Sequence, residues 1–396
     1  MVAGASQGRI PLPLWMSVLF RCAPGPRTER AGDGLTWCAC GAVDREGDCT
    51  GVPRLGTRPY RIVRHEREGS PMRDDAAAWF TARTSTAEDW TRDRLLAAKG
   101  GTRISVVLPA LNEETTVGRI VEAVHYGLGA GASPGRQLVD ELVVIDSGSS
   151  DRTAEVASRA GARVVAREDV LSDIPVVPGK GEAMWRSLAA TEGDIVVFID
   201  ADLQSFTPTY VTGLLGPLLT DDTVSLVKAV YERPLVEGSN VVSAGGGRVT
   251  ELVARPLLNL LWPELAGVVQ PLAGEYAARR SLLEQLPFPC GYGVELAMLV
   301  DTLDLLGLDA IAQVDLGVRV HRHHDERRLG RMSAEILRTA LDRLARRGDL
   351  VGLDTLATTL TQFDRGASGF ALHTHDITAL ERPSMSTLAA YLDRAR

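Results

Sequence analysis

The sequence predicts an α/β fold in which a mostly parallel, Rossmann-like sheet carries helices on both faces. Three observations lead to this prediction. From residue 103 onward, short apolar runs alternate with helical segments, and this alternation is typical of parallel sheets with crossover helices. The runs are short, apolar and bounded by polar turns, as expected for buried strands. No apolar run reaches the ~20 residues that span a bilayer, so we expect no membrane partner.

The first elements follow each other regularly. Two helical segments, 75–80 and 87–99, precede the sheet and close at Gly100-Gly101, because paired glycines end helices. Strands and helices then alternate. The strands are predicted at 104–108, 142–145, 163–166 and 195–199. The helices between them are predicted at 115–126, 152–160 and 181–190.

The alternation loosens in the second half of the chain. Strands are predicted at 224–231 and 312–318, and helices at 249–261, 293–306 and 331–347. The resulting organisation has four parts. These are a poorly structured leader (1–71), a helical N-terminal segment (72–101), a main domain (102–325, with halves 102–204 and 205–325) and a C-terminal helical extension (326–396). Met72 is an alternative start.

Composition limits the classes of partner. The chain has 396 residues and a net charge of −8, which argues against nucleic acid as the main partner. Only three lysines occur, Lys99, Lys180 and Lys228. Four of the five cysteines lie in the leader, which leaves Cys290 alone in the remainder. A single cysteine cannot form an internal disulfide, so we expect a reducing, cytoplasmic setting.

Asp200-Ala201-Asp202 is the most informative motif. It ends the apolar run 195–199, and a buried strand delivers its last residues to the edge of the sheet where ligands of α/β folds bind. Two carboxylates one residue apart can share a hard divalent cation, Mg²⁺ or Mn²⁺, with a diphosphate. The alternative is an acidic surface loop. The position after a wholly apolar strand favours metal-assisted nucleotide-sugar transfer.

Three turns in the first half offer groups to a nucleotide. Pro109 ends the first strand and leads into the turn 110–114, which also reads as a plain strand–helix junction. Asp146 follows the second strand, and its carboxylate can accept a hydrogen bond from a base or ribose. Lys180 lies between two glycines where a helix starts, a place suited to a phosphate. A solvated lysine in a turn is the alternative.

Three motifs in the second half suit an acidic acceptor. Gly245-Gly246-Gly247 precede Arg248 and Thr250 at a helix start, where backbone N–H groups and a guanidinium bind phosphate well. Glu295 lies in the first turn of a helix, where it orients a hydroxyl or merely complements the helix dipole. The last strand runs into a cluster that is well placed for an anion and a cation, made up of Arg319, His321 and His323.

Together the motifs resemble the actinobacterial glucosyl-3-phosphoglycerate synthases from about residue 102 to residue 321. The resemblance lies in the order V-L-P-A-L-N-E-E (107–114), D-S-G-S (146–149), P-G-K-G-E-A (178–183), D-x-D (200–202), G-G-G-R-V-T-E-L (245–252), G-Y-G-V-E (291–295) and V-R-x-H (318–321). It implies a GT-A glycosyltransferase fold and a homodimer. It also implies metal-dependent retaining transfer of glucose from UDP-glucose to the 2-hydroxyl of 3-phosphoglycerate, for glucosylglycerate or methylglucose polysaccharide synthesis.

The resemblance also assigns roles by position. It implies that the nucleotide is held by Pro109, Ala110, Leu111, Glu113, Ser147 and Lys180. Asp202 and His321 would bind the metal, and Asp200 would support the donor. The acceptor would be held by Gly247, Arg248, Thr250 and Arg319, with His323 where the family usually has Asn.

Other functions stay open from sequence. A mannosyl-3-phosphoglycerate synthase or a user of GDP-sugars would show the same motifs. A polyprenyl-phosphate glycosyltransferase would share the nucleotide half but should carry a membrane anchor. A non-catalytic nucleotide-sugar binding protein would keep the donor motifs without turnover. No residue stands out as a covalent nucleophile, so we expect retention by front-face substitution.

Overall fold

The computed structural model describes residues 72–232, 235–237, 240–242, 247–319, 326–366 and 369–393, together with the short strands Trp37–Cys38 and Gly41–Ala42. The chain divides into two compact units, Met1–Pro59 and Tyr60–Arg396, and the second contains the predicted main domain. The predictions for Gly245 and Gly246, for His321 and His323, and for the leader apart from those two short strands fall outside the described residues.

An eight-stranded sheet forms the centre of the second unit. Its strands are β1 (Thr84–Thr86), β2 (Ile104–Ala110), β3 (Glu141–Asp146), β4 (Arg163–Ala166), β5 (Ile195–Phe198), β6 (Leu226–Glu232), β7 (Tyr276–Arg279) and β8 (Ile311–Val318). Their order across the sheet is β1-β8-β6-β7-β5-β2-β3-β4. All neighbours are parallel except β7, which runs antiparallel to both β5 and β6. The predicted mostly parallel sheet is therefore confirmed.

Helices cover both faces of this sheet. They are α1 (Asp74–Arg83), α2 (Arg92–Lys99), α3 (Val117–Gly127), α4 (Thr153–Arg159), α5 (Lys180–Ala190), α6 (Thr209–Thr220), α7 (Arg255–Leu261), α8 (Arg280–Leu283), α9 (Val294–Leu306), α10 (Glu326–Arg347) and α11 (Ala389–Leu392). No helix in these described ranges is long and apolar enough to cross a membrane.

Strand alternation explains how one sheet supports two cores. Val106 and Leu108 of β2 point into the core that contains α3 and α6, whereas Val107 between them joins the core that contains α5 and α9. Val197 and Phe198 of β5 divide in the same way, because successive side chains of a strand point to opposite faces. Each wholly buried side chain of this size contributes about 1.5–3 kcal/mol.

Two predicted helices need correction. The helix expected at 87–99 is a 3₁₀ turn, Ala87–Asp89, followed by α2, because Thr91 caps α2 by accepting a hydrogen bond from the Arg94 N–H. The helix expected at 249–261 contains a π-helical turn, Thr250–Ala254, before α7. Pro256 lies just inside α7, where its missing N–H cannot continue the regular ladder.

The C-terminal extension is helical only in its first part. Helix α10 confirms the prediction there, but residues Thr359–Gly366 and Gly369–Asp376 pair as an antiparallel hairpin. Threonine and aromatic residues favour extended backbone, and glycines close the hairpin at 366 and 369. Further on, Glu381–Arg382 pairs with Phe288–Pro289. The strand pair Leu235–Glu237 and Asn240–Val242 completes the described strands.

Candidate active site

The carboxyl end of β5 carries the D-x-D motif. Ile199 is buried and its N–H donates to the Val107 carbonyl (3.0 Å), which keeps the backbone in the sheet just before the motif. Ala201 is buried as well. The two carboxylates therefore point away from the core, and 21% of the Asp200 side chain and 33% of the Asp202 side chain are exposed.

Lys180 joins two carboxylates from different elements. Its Nζ donates to Asp200 Oδ1 at 2.5 Å and to Glu295 Oε1 at 3.0 Å. Burial disfavours the Lys180 ammonium, but the charges of Asp200 and Glu295 outweigh that effect and raise its pKa well above the usual range. The sequence placed these three residues at separate helix or strand ends, and the structure brings them together.

Close backbone contact fixes the start of α5 beside the start of α9. The Gly181 N–H donates to the Cys290 carbonyl at 2.9 Å. A Cβ on Gly181 would lie 1.9 Å from the Pro289 carbonyl oxygen, and Gly179 has a positive φ of 127°. Only glycine satisfies both positions. The glycines around Lys180 thus allow the approach that carries its ammonium to Glu295.

Arg319 lies on the other side of the aspartates. Its Nη2 contacts Asp200 Oδ2 at 3.2 Å and Asp202 Oδ1 at 3.3 Å, while its Nη1 contacts Glu275 Oε2 at 3.0 Å. Burial opposes ionisation of Asp200, but Lys180 and Arg319 hold the pKa of that carboxyl well below its usual range. Asp200 is therefore ionised between two cations throughout the neutral range.

Two further residues complete this network. Tyr231 at the end of β6 donates its hydroxyl to Glu275 Oε2 (2.7 Å) and accepts a hydrogen bond from Arg319 Nη1 (2.8 Å). Burial raises the pKa of the Glu275 carboxyl, and the charge of Arg319 opposes that rise. Sequence reasoning missed both residues. Glu275 precedes β7, a four-residue strand without a clear pattern, and no signal marked it.

Gly274 packs tightly against the cluster. A Cβ on this residue would lie 2.2 Å from Asp200 Oδ2 and 2.6 Å from Lys180 Nζ. Beside it, the Ala273 carbonyl accepts a hydrogen bond from Lys228 Nζ at 2.6 Å. Lys228 is completely buried with its ammonium 4.6 Å from the centre of the Tyr276 ring. Burial lowers the pKa of Lys228 to about 7.

The predicted nucleotide turns lie side by side where β2 and β3 end. The Ser147 N–H donates to the Ala110 carbonyl (2.9 Å), and the Asn112 N–H donates to Ser149 Oγ (3.0 Å). Pro109 is half-buried, whereas 53% of Leu111 is exposed. The Glu113 N–H is held by Thr153 Oγ1 at 2.7 Å. The turns therefore form one preordered surface.

Asp146 retains an unused acceptor in this surface. Its Oδ2 accepts a hydrogen bond from the Ser149 N–H at 3.2 Å, which fixes the carboxylate. Its Oδ1 is buried and has no hydrogen-bond partner in the described part of the chain. Because a buried acceptor without a partner is costly, it is suited to a hydroxyl or N–H of a ligand.

The predicted acceptor loop is described from Gly247 onward. Gly247 has a φ of 80°, a conformation that glycine adopts readily. Arg248 is exposed and lies 3.8 Å from Glu326 Oε1 at the start of α10. Thr250 is buried in the π-helical turn. Of the acceptor candidates among the described residues, Arg319 directly contacts the two aspartates.

The donor set fits a hard divalent cation. Asp202 and Asp200 offer carboxylate oxygens, which are the ligands that Mg²⁺ and Mn²⁺ prefer. Within the described ranges, no three His, Cys, Asp or Glu side chains form a group that could hold a metal. The predicted ligand His321 belongs to the residues outside those ranges, as does His323.

Residues 105–284 match the family model of Glycosyl transferase family 2. The glucosyl-3-phosphoglycerate synthase of Mycobacterium tuberculosis (strain ATCC 25618 / H37Rv) is 52% identical over 76% of this chain and 90% of its own length. The chain belongs to the glucosyl-3-phosphoglycerate synthases. The synthase of Petrotoga mobilis, at 41% identity over 76% of this chain and 91% of its own length, is a more distant relative.

Solved structures of synthases support the same assignment. The M. tuberculosis enzyme in complex with Mn²⁺, UDP and glucosyl-3-phosphoglycerate matches with a TM-score of 0.65 at 51% identity, over 75% of this chain and 95% of that one. The mannosyl-3-phosphoglycerate synthase of Rubrobacter xylanophilus matches with a TM-score of 0.72 at 40% identity, over 78% and 97%. The predicted GT-A fold and hexosyltransferase class are confirmed.

Proposed function

We propose that this synthase transfers glucose from UDP-glucose to the 2-hydroxyl of 3-phosphoglycerate with retention of configuration. Its M. tuberculosis relative has been crystallised with Mn²⁺, UDP-glucose and phosphoglyceric acid. The observation that carries the proposal is the cluster at the carboxyl edge of the sheet. There Lys180, Asp200, Glu295 and Arg319 from four different elements meet through contacts of 2.5–3.2 Å.

The donor is assigned to the first half of the domain. The turns at Pro109 and Ser147 form the nucleoside surface, and the unpartnered oxygen of Asp146 accepts a hydrogen bond from the base or ribose. Ala110, Leu111 and Glu113 line the same turn. Lys180 lies where its ammonium meets the diphosphate and Asp200 at once.

Asp202, with His321, is assigned to hold Mg²⁺ or Mn²⁺. When bound, such a cation neutralises the charge that develops on the leaving diphosphate. Asp202 remains partly exposed beside the buried Ala201, so its carboxylate is accessible to an incoming cation. Asp200 stays ionised between Lys180 and Arg319 and supports the sugar of the donor.

The acceptor is assigned to the second half. Gly247, Arg248 and Thr250 at the π-helical turn bind the phosphate, and Arg319 and His323 bind the remaining anionic group. Charge-assisted hydrogen bonds of this kind are the stronger class. Glu295, fixed by Lys180, orients the reacting hydroxyl or the sugar.

The chemistry needs no covalent intermediate with the protein. The bond between the anomeric carbon and the diphosphate oxygen breaks, while the acceptor 2-hydroxyl oxygen bonds to that carbon from the same face. The hydroxyl proton passes to the departing diphosphate, so atoms and charge balance without a protein base. The role of the residues is to align both substrates and stabilise the departing charge.

A second donor has support of its own. The R. xylanophilus structure, a mannosyl-3-phosphoglycerate synthase, matches with a TM-score of 0.72, so mannose transfer from a nucleotide sugar is the second candidate.

We also propose a cytoplasmic homodimer. The buried free thiol of Cys290 suits a reducing compartment, and the C-terminal hairpin exposes Phe363 and Phe370.

One assay tests these assignments together. Purified chain is incubated with UDP-glucose, GDP-glucose or GDP-mannose, each with 3-phosphoglycerate or 2-phosphoglycerate, with and without Mg²⁺ or Mn²⁺, and products are identified by mass spectrometry. We expect glucosyl-3-phosphoglycerate from UDP-glucose, with metal required. If mannose is transferred faster than glucose, the donor assignment is wrong. If the chain binds nucleotide sugar but forms no product, it is a non-catalytic binding protein.

A further inference from the structure

On the side away from the aspartates, Arg319 contacts a carboxylate and a tyrosine hydroxyl. Nη1 contacts Glu275 Oε2 at 3.0 Å and Tyr231 Oη at 2.8 Å. The Tyr231 hydroxyl donates to the same Glu275 oxygen at 2.7 Å. The three groups form a closed triangle. All three residues are buried, since none is more than 6% exposed.

Hydrogen bonds hold the backbone that carries the Glu275 carboxylate. The Glu275 carbonyl accepts a hydrogen bond from the Ala229 N–H at 3.1 Å, which ties it to β6. Two residues earlier, the Ala273 carbonyl is held by the buried Lys228 at 2.6 Å. Gly274 between them packs against Asp200. Glu275 therefore has little freedom to follow Arg319 if that side chain moves.

The anchor decides which edges of the guanidinium face the site. With Nη1 used by Glu275 and Tyr231, Nη2 lies 3.2–3.3 Å from Asp200 and Asp202. Arg319 Nε is buried and has no hydrogen-bond partner in the described part of the chain. Without the anchor, a planar guanidinium would turn to bind an aspartate with two parallel hydrogen bonds, the geometry it favours with carboxylates. That turn would change the direction in which Nη2, the nitrogen beside the two aspartates, presents its N–H groups to the site.

We propose that Glu275, together with Tyr231, is the positioning pair that holds Arg319 in the orientation that binds the acceptor anion. The inference rests on the proposed function, in which Arg319 contacts phosphoglycerate. Glu275 and Tyr231 are both buried, so we assign them no contact with the substrates. Their effect passes through Arg319 and should appear in acceptor binding.

Glu275→Gln and Tyr231→Phe test the pair, with Tyr276→Phe as the matched control. Tyr276 is the next residue after Glu275, is buried, and donates its hydroxyl to Met184 Sδ at 3.7 Å in the opposite core. Saturation curves are measured for UDP-glucose and for 3-phosphoglycerate. We expect Glu275→Gln to raise the KM for 3-phosphoglycerate about tenfold or more, as loss of a charged hydrogen-bond partner does. Tyr231→Phe should raise it by a smaller factor, because Glu275 remains.

A merely structural role would give a different pattern. The KM for UDP-glucose and the calorimetric affinity for UDP should change less than about twofold in both variants, and Tyr276→Phe should leave both KM values within that limit. Equal shifts in both substrates, or an unchanged acceptor KM in a folded Glu275→Gln variant, would overturn the inference. If Glu275→Gln does not fold, Tyr231→Phe provides the test, and an unchanged KM for 3-phosphoglycerate in that variant would overturn the inference. A wild-type chain that transfers no sugar to 3-phosphoglycerate would instead overturn the proposed function and this inference with it.

Discussion

Replacement of Lys228 by methionine should change how the stability of the fold depends on pH. Lys228 is completely buried, and its amine contacts two uncharged partners, the Ala273 carbonyl and the Tyr276 ring. Burial is the main cause of its low pKa, the charge of Lys180 lowers it further, and Glu295, Glu275 and Asp200 oppose the shift. Methionine preserves the unbranched stem and removes the titrating group.

The sign follows from where the proton is held. The lysine pKa falls from 10.5 in its ordinary state to about 7 in the fold, so between these pH values the unfolded chain holds a proton that the folded chain has released. The free energy of unfolding of the wild type therefore rises with pH over this window. Below pH 7 both states are charged and the folded state carries the full penalty, about 5 kcal/mol at about 1.36 kcal/mol for each pH unit.

Equilibrium urea unfolding of wild type and Lys228→Met at a series of pH values measures the effect. From about pH 7 to about pH 9, the wild type should gain about 2 kcal/mol relative to the variant. The lost hydrogen bond to Ala273 shifts the two curves by a constant amount and leaves the slope unaffected. Lys99→Met, which removes a lysine paired with Asp140 at 2.9 Å, controls for the loss of a lysine as such. Parallel curves for wild type and Lys228→Met would refute the reasoning.

Three further outcomes are expected. Asp202→Ala should lower transfer by about a hundredfold or more while thermal unfolding stays cooperative, because a cation ligand stabilises several kcal/mol of developing charge; near-normal turnover at saturating Mg²⁺ would contradict this. Arg248→Ala should raise the KM for 3-phosphoglycerate about tenfold and leave that for UDP-glucose unchanged, with partial recovery in Arg248→Lys; a shift confined to the donor would reassign the loop. A chain lacking residues 1–71 should keep its turnover within about twofold, since the family match and every candidate site residue lie beyond them; a folded but inactive truncation would show otherwise.

The sequence predicted the parts of the site that follow a simple rule. In a parallel sheet, strands end at one edge and the following helices begin there, so Asp200 at a strand end and Lys180 at a helix start could be placed together before any contact was known. The close approach that Gly179 and Gly181 allow beside Lys180 is seen only in the structure. The exact partners of Lys180 could not be inferred, because they depend on how α9 packs.

The same rule does not find Glu275, because β7 is antiparallel to its neighbours. An antiparallel strand brings its beginning, not its end, to the edge where β5 and β6 finish. Residues that precede β7 therefore reach the site, and a search of strand ends overlooks them.

The C-terminal hairpin was missed for another reason. Its pairing depends on contacts within the hairpin, and its largest apolar side chains, Phe363 and Phe370, remain exposed.

The contact between Arg382 and Glu182 has a consequence for synthesis of the protein. Glu182 is completely buried on α5, the helix that begins with Lys180, and Arg382 donates to it from 200 positions further along the chain at 2.6 and 2.8 Å. A ribosome needs about 10–40 s to add 200 residues. During that time the Glu182 carboxylate lacks the partner that Arg382 supplies in the finished structure. A chain that ends before residue 382 therefore keeps the sequence of α5 but lacks one of the two guanidinium partners of its buried carboxylate.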